Sequence, residues 1–241
     1  MTATARTSDR RDTGALRAIA ASGARELGHD AAADDVVAWA VEAFGEGLAV
    51  ASSMQDAVLP HLVSQHLPGV DVLFGDTGYH FTETYDTRRR VADELDVTVV
   101  DVRPRLSVTQ QDIRVGPRLF ERDPAECCRL RKVEPLRLAL ADYECWATGV
   151  RRADGPTRAN TPIVTFDETF GLVKVNPLAT WSGDDVTTYA FEHGVPVNLL
   201  LSDGYPSIGC APCTQRVEAG ADERSGRWAG FGKTECGLHP A

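Results

Sequence analysis

Cys210-Ala-Pro-Cys213 is a Cys-x-x-Cys pair, whose two sulfurs can reach one metal centre or close a redox disulfide. Far away in the chain, Cys127-Cys128 offers two further thiols, and four Cys thiolates are the ligand set of a 4Fe-4S cluster. Adjacent helical residues point in different directions, so both members of the tandem pair reach one centre only at a helix end or bend. Pro124 and Pro135 flank the pair and supply such irregularity. The plainer reading of one tandem thiol is a buried core residue. Zinc is the sharper rival, because Cys210-x-x-Cys213 followed by Cys236-Gly-Leu-His239 has the ligand types and paired spacing of a structural zinc site. That reading leaves Cys127 and Cys128 without a role.

Cys236 stands in Lys233-Thr-Glu-Cys-Gly-Leu-His239. A lysine and a histidine nearby would enlarge its thiolate fraction, and a thiolate on a mobile tail could visit both a substrate pocket and a second protein. Cys145, inside the apolar run Cys-Trp-Ala, reads as core.

These thiols must be positioned by the elements around them. Val36, Val37, Trp39, Ala40, Val41 and Phe44 recur at helical spacing within 32–44, with Gly45 as a stop. The run 47–52 predicts a strand, 52–56 a tight loop, and Val58 to Leu67 a helix. The alternation repeats through a strand at 70–74, a helix at 81–95 and a β-branched strand at 97–102. A helix over 126–141 with an interruption before Pro135, strands at 145–150 and 172–175, and a helix from a Ser182/Asp185 capping box to Gly194 complete the pattern. Strand–helix alternation at this spacing predicts an α/β fold, a parallel sheet flanked by helices, with ligands at the carboxyl ends of the strands near Ser52 and Asp76. Residues 1–14 read as a polar mobile tail, 15–241 as one domain, and 203–241 as its irregular C-terminal catalytic tail.

Lys and Arg number 25 against 35 Asp and Glu, a net charge of -10, which argues against nucleic acid as a partner. A small anion could still be held by a local cluster of arginines, whose forks suit sulfate and phosphate oxygens, although a solvated surface role is the bland reading for any one of them. No signal peptide and no apolar run long enough for a membrane span can be read, so a cytoplasmic location is expected. In a reducing compartment, metal or redox roles for the cysteines gain weight over structural disulfides.

Taken together, Cys127-Cys128-Arg-Leu-Arg-Lys132, Gly209-Cys-Ala-Pro-Cys213 and Glu235-Cys-Gly-Leu-His239 resemble the assimilatory adenylyl sulfate reductases, the cluster-containing branch of the phosphoadenylyl and adenylyl sulfate reductase family. The likeness extends through Gly75-Asp-Thr-Gly-Tyr-His-Phe81, Thr148-Gly-Val-Arg-Arg152, Pro156-Thr-Arg158 and Arg224-Ser-Gly-Arg-Trp228, and is closest to actinobacterial members. It implies an adenine nucleotide alpha hydrolase-like fold. It also implies one 4Fe-4S cluster on Cys127, Cys128, Cys210 and Cys213, with Cys236 as nucleophile. Substrate contacts are implied for Ser52, Ser53, Asp76, Thr77, Gly78, Lys132, Arg151, Arg152, Arg158, Arg224, Arg227 and His239. By the same likeness the Cys236 thiolate takes the sulfo group from adenylyl sulfate, and reduced thioredoxin or a similar dithiol protein releases it as sulfite.

Ser52-Ser-Met-Gln-Asp56 lacks the glycines of a pyrophosphatase loop, which disfavours pyrophosphate release from ATP. Phosphoadenylyl sulfate remains open as an alternative substrate. A cluster-bearing sulfur-transfer or RNA-modifying enzyme and a zinc-stabilised binding module are the readings from other classes.

Overall fold

The computed structural model describes residues 10–218, 220–228 and 237–238. In chain order the elements are helices α1 (Thr13–Leu27) and α2 (Ala33–Phe44), strand β1 (Leu48–Ser52), α3 (Val58–Ser64), β2 (Val70–Gly75), α4 (Thr82–Glu94) and β3 (Val97–Val102). Then come α5 (Val108–Val115), α6 (Leu119–Arg122), α7 (Pro124–Cys128), a π-helical segment Arg129–Val133, and α8 (Glu134–Leu140). Strands β4 (Cys145–Thr148), β5 (Val164–Asp167) and β6 (Leu172–Val175) and helix α9 (Gly183–His193) follow.

The strands form one sheet in the order β3-β2-β1-β4-β6-β5. Every pairing is parallel except β5 with β6, an antiparallel edge. Because side chains alternate between faces, odd and even positions feed two cores. Val50, Val72, Phe74, Cys145 and Val173 join α1, α2, α3 and α9 on one side. Ala49, Leu73, Trp146 and Leu172 meet Leu136 and Leu140 of α8 on the other. Both faces are covered, which is why the strands read as continuous apolar runs rather than strict alternation.

Two stretches depart from the sequence expectation. Arg10 to Gly14, assigned to a mobile tail, are anchored: Arg11 bonds Glu144 and the Ala43 carbonyl, Arg10 reaches Ala141 and Gly171, and Asp12 caps α1 through Ala15 N–H at 2.8 Å. The helix predicted over 126–141 is three pieces. Pro135 has no N–H to donate, and the turn before it widens into the π-helical segment.

Candidate active site

The chain order leaves β1 paired to β2 on one side and to β4 on the other, so their carboxyl ends open a crevice where successive crossovers diverge. A cavity of about 280 Å³ fills it. Ser52, Ser53, Gln55 and Asp56 after β1, Gly75 after β2, and Gly149 and Arg151 after β4 form its walls. Leu73, Leu136, Trp146 and Leu238 supply an apolar side, and Lys132, Arg151, Arg158, Arg224 and Arg227 a cationic one.

The cations are held in place. Asp154 accepts from both Arg151 and Arg158, at 2.8 and 2.9 Å, so one carboxylate orients two guanidinium forks and leaves a net positive charge. Arg227 packs over the Trp228 ring at 4.5 Å and donates to Ser207 Oγ and the Ile208 carbonyl. Its guanidinium crosses Gly209 so closely that a Cβ there would lie 2.3 Å from Nη2, which explains the glycine before Cys210. Asp56 lies deep in the same wall. Burial pushes its carboxyl up, against the pull of Val58 N–H and Arg151. His80 donates through Nε2 to the Gly75 carbonyl at 2.8 Å, and burial lowers its basicity, so a neutral imidazole faces the cavity wall.

Beside this cavity lies a smaller pocket lined by Cys127, Cys128, Cys210 and Cys213. Lys132 and Trp228 line both spaces and form the partition between them. Cys127 and Cys128 close α7, where the helix passes into the π-helical segment, and both are buried. Cys210 and Cys213 come from the 209–214 loop. That loop is tied to the β2–α4 loop by Ala211 N–H on the Tyr79 carbonyl at 2.7 Å, and Thr77 Oγ1 lies 3.3 Å from Cys210 Sγ. Burial pushes the Cys127 thiol up to about 12, and the thiols Cys128, Cys210 and Cys213 add to it. Burial and Cys210 push Cys213 up to about 11.

Among the described residues, no three Cys, His, Asp or Glu side chains converge on one point as ligands of a single metal ion. Four thiols arranged around a pocket, with no imidazole or carboxylate among them, instead fit a polynuclear iron-sulfur group that takes one thiolate per iron. A bound cation would oppose the burial that pushes the Cys127 and Cys213 thiols up.

Several residues assigned to substrate from the sequence lie elsewhere. Asp76, Thr77 and Gly78 do not line the cavity. Asp76 accepts from Tyr85 and Arg103 and from Gly78 N–H; burial raises its carboxyl, but these donors together hold it below the usual range. Thr77 turns towards Cys210, and its carbonyl accepts from buried Arg131. Arg152 points away, bonding Asp30 and the His29 and Thr161 carbonyls. Cys236 and His239 lie outside the described residues. Between them, Leu238 packs against the Leu136 and Trp146 cluster.

Sequence reasoning assigned no role to Arg131, Asp154, Asp56 or Trp228. Arg131 donates to Thr77, Leu106 and Gln111, joining the tandem-cysteine helix to the β2–α4 loop. Its place one residue before Lys132 was the only available signal.

The chain matches the phosphoadenosine phosphosulfate reductase domain over residues 47–216. It is 57% identical to the adenosine 5'-phosphosulfate reductase of Mycobacteroides abscessus, over 95% of this chain and 96% of that protein. It is 56% identical to the adenosine 5'-phosphosulfate reductase of Streptomyces coelicolor, over 96% and 98%. Among solved structures, a phosphoadenylyl-sulfate reductase from Candida auris in a phosphate complex superposes with a TM-score of 0.65 at 26% identity, covering 87% of this chain and all of that one. An FMN adenylyltransferase from Candida glabrata, at 0.56 and 11% identity over 85% of this chain and 74% of that one, shares the fold alone. With the nucleotide-fold crevice, its cationic wall and a domain match over most of the chain, the protein belongs to the phosphoadenosine phosphosulfate reductase family.

Proposed function

We propose that this protein reduces adenylyl sulfate to sulfite and AMP at the expense of a thioredoxin-type dithiol, with Cys236 as the nucleophile. The observation that carries this reading is the shared partition: a cationic nucleotide-sized cavity and a four-thiol pocket meet at Lys132 and Trp228. Ser52, Ser53, Arg151 and Arg158 line the cavity at the strand ends, and Arg224 and Arg227 bring the guanidinium groups suited to a sulfate. The Cys236 thiolate attacks the sulfur of the sulfo group, the S–O bond to phosphate breaks, and AMP leaves. Cys236 then carries S-sulfocysteine. A dithiol thiolate attacks the Cys236 sulfur and expels sulfite, and its second thiol resolves the mixed disulfide, so the dithiol is oxidised by two electrons and Cys236 is restored.

Cys127, Cys128, Cys210 and Cys213 would hold one 4Fe-4S cluster, which when bound supplies a rigid anchor and fixed charge beside Lys132, the electrons coming from the dithiol. Lys132 orients substrate oxygens from the partition. Leu238, two residues after Cys236 in sequence, packs against the apolar wall, and its release belongs to the second step.

The test incubates anaerobically purified protein with sulfur-labelled adenylyl sulfate, and separately with its 3'-phosphorylated form, without thioredoxin. Label on Cys236 that reduced thioredoxin releases as sulfite supports the mechanism, and the two nucleotides report selectivity. Sulfite production by Cys236→Ser would refute the nucleophile assignment.

A further inference from the structure

The loop after β1 has to hold a tight, anion-facing shape without a glycine. Met54 sits at its centre with φ 59°, in the left-handed region that side chains other than glycine and asparagine rarely occupy. Its side chain is fully buried, while its neighbours Ser52, Ser53, Gln55 and Asp56 face the cavity. Within the loop Met54 N–H donates to Ser52 Oγ at 3.2 Å and Ser52 Oγ donates to Met54 Sδ at 3.7 Å, neither of which engages the Met54 carbonyl, so that end of the strained residue is held from outside the loop.

The segment before the cysteine loop supplies that hold. Ala57 N–H donates to the Pro196 carbonyl at 2.9 Å, Asn198 N–H to the Gln55 carbonyl at 3.0 Å, and Asp56 pairs with Val197 in an antiparallel bridge. At the end of this short ladder the fully buried Asn198 side chain donates from Nδ2 to the Met54 carbonyl and to Thr84 Oγ1, both at 3.2 Å. Its Oδ1 accepts from Leu200 N–H at 3.1 Å, which fixes the amide orientation. The carbonyl of the strained residue is therefore gripped by an amide whose own rotation is locked from two sides.

We propose that Asn198 is a positioning residue for the nucleotide site: by holding the Met54 carbonyl, it keeps the glycine-free loop in the left-handed shape that presents Ser52, Ser53, Gln55 and Asp56 to the nucleotide. The proposal rests on the cavity's reading as a nucleotide site. Without that grip the peptide after Met54 rotates to relieve the unfavourable φ and takes the cavity-facing residues with it. Glycine at 54 has no such preference, so the loop would then depend less on Asn198.

Titration calorimetry of AMP into anaerobically purified full-length protein tests this with Asn198→Ala, Met54→Gly, the double variant and Thr84→Val. Asn198→Ala is expected to weaken AMP about tenfold, equivalent to about 1.4 kcal/mol at 25 °C. In the Met54→Gly background the same change is expected to cost less than about threefold, a coupling that a merely structural asparagine would not show. Thr84→Val, a near-isosteric change that frees the amide on one side, is expected to weaken AMP in the same direction by about twofold, and it carries the test if Asn198→Ala does not fold. Equal losses in both backgrounds, or unchanged AMP affinity in folded Thr84→Val, would overturn the proposal. No AMP binding by the wild type would overturn the nucleotide reading and the proposal with it, whereas binding that is indifferent to these variants would overturn the proposal alone.

Discussion

Leu238→Ala separates the two half-reactions. Leu238 is half-buried against Leu136 and Trp146, on the wall of the crevice cavity and two residues after the proposed nucleophile. Complete burial of a leucine side chain stabilises by roughly 1.5–3 kcal/mol. A half-buried one contributes about half of that, and alanine keeps a share, so the docked state should lose about 1 kcal/mol. That corresponds to a factor of about five in the ratio of docked to undocked Leu238. In the proposed mechanism, loading of the sulfo group from adenylyl sulfate draws on the docked population, and discharge by thioredoxin on the undocked one. Their rate ratio therefore falls about fivefold wherever the wild-type balance lies, even though either rate alone need not change by that amount. Loading is measured in single turnover with labelled adenylyl sulfate and no reductant, and discharge by mixing the isolated S-sulfo protein with limiting reduced thioredoxin. An unchanged ratio, with both rates altered by the same factor, would refute the docking argument.

Cys213→Ser, purified anaerobically, should lose iron and the visible absorbance of a cluster, whereas Cys145→Ala, buried at the start of β4, should keep both; iron analysis decides it. Asp56→Asn should be more thermally stable than the wild type at pH 7.5 and converge with it below pH 4. The raised carboxyl binds its proton more tightly in the folded state, so its contribution is full below the unfolded value near 4 and is lost as pH rises through the folded one, each kcal/mol being worth roughly 2–4 °C. Arg152→Ala should lower stability by about 2 kcal/mol through its lost bonds to the 29–30 turn and Thr161, yet leave AMP affinity intact; Arg158→Ala should weaken AMP as well as lower stability through its lost bond to Asp154, and paired melting and binding curves would show the difference.

Much of the scaffold was legible because the signals were local. Strand β3 spans Val97–Val102, as its β-branched run predicts, and α9 runs from a two-way Ser182/Asp185 capping box to a left-handed Gly194. Helix α2 ends at Gly45 for the same kind of reason. Helix α1 gave no usable signal, since its alanine-rich sequence buries only Leu16, Ala20 and Gly23, and Gly23 is needed because a Cβ there would collide with the Trp39 ring. Strand β5 is short and runs antiparallel, so strand–helix alternation could not announce it.

The site divides along the same line. Residue type and spacing by themselves selected the cysteines, because a thiol's chemistry belongs to its atoms and the pairs 127–128 and 210–213 are close in sequence. The resemblance carried by the flanking motifs, rather than spacing, singled out Lys132, Arg151, Arg158, Arg224 and Arg227, which all line the cavity. Only the tertiary structure could separate Arg151 from Arg152: adjacent side chains in extended backbone point opposite ways, and one meets Asp154 in the crevice while the other meets Asp30 across the sheet's flank. Only packing, likewise, set Thr77 beside Cys210 and brought Asn198 to the carbonyl of Met54 across 144 residues of chain. Sequence determined which groups are available and what chemistry they can do. Which of them share one small volume was decided by long-range pairing of loops, whose energy comes from contacts that no local pattern encodes.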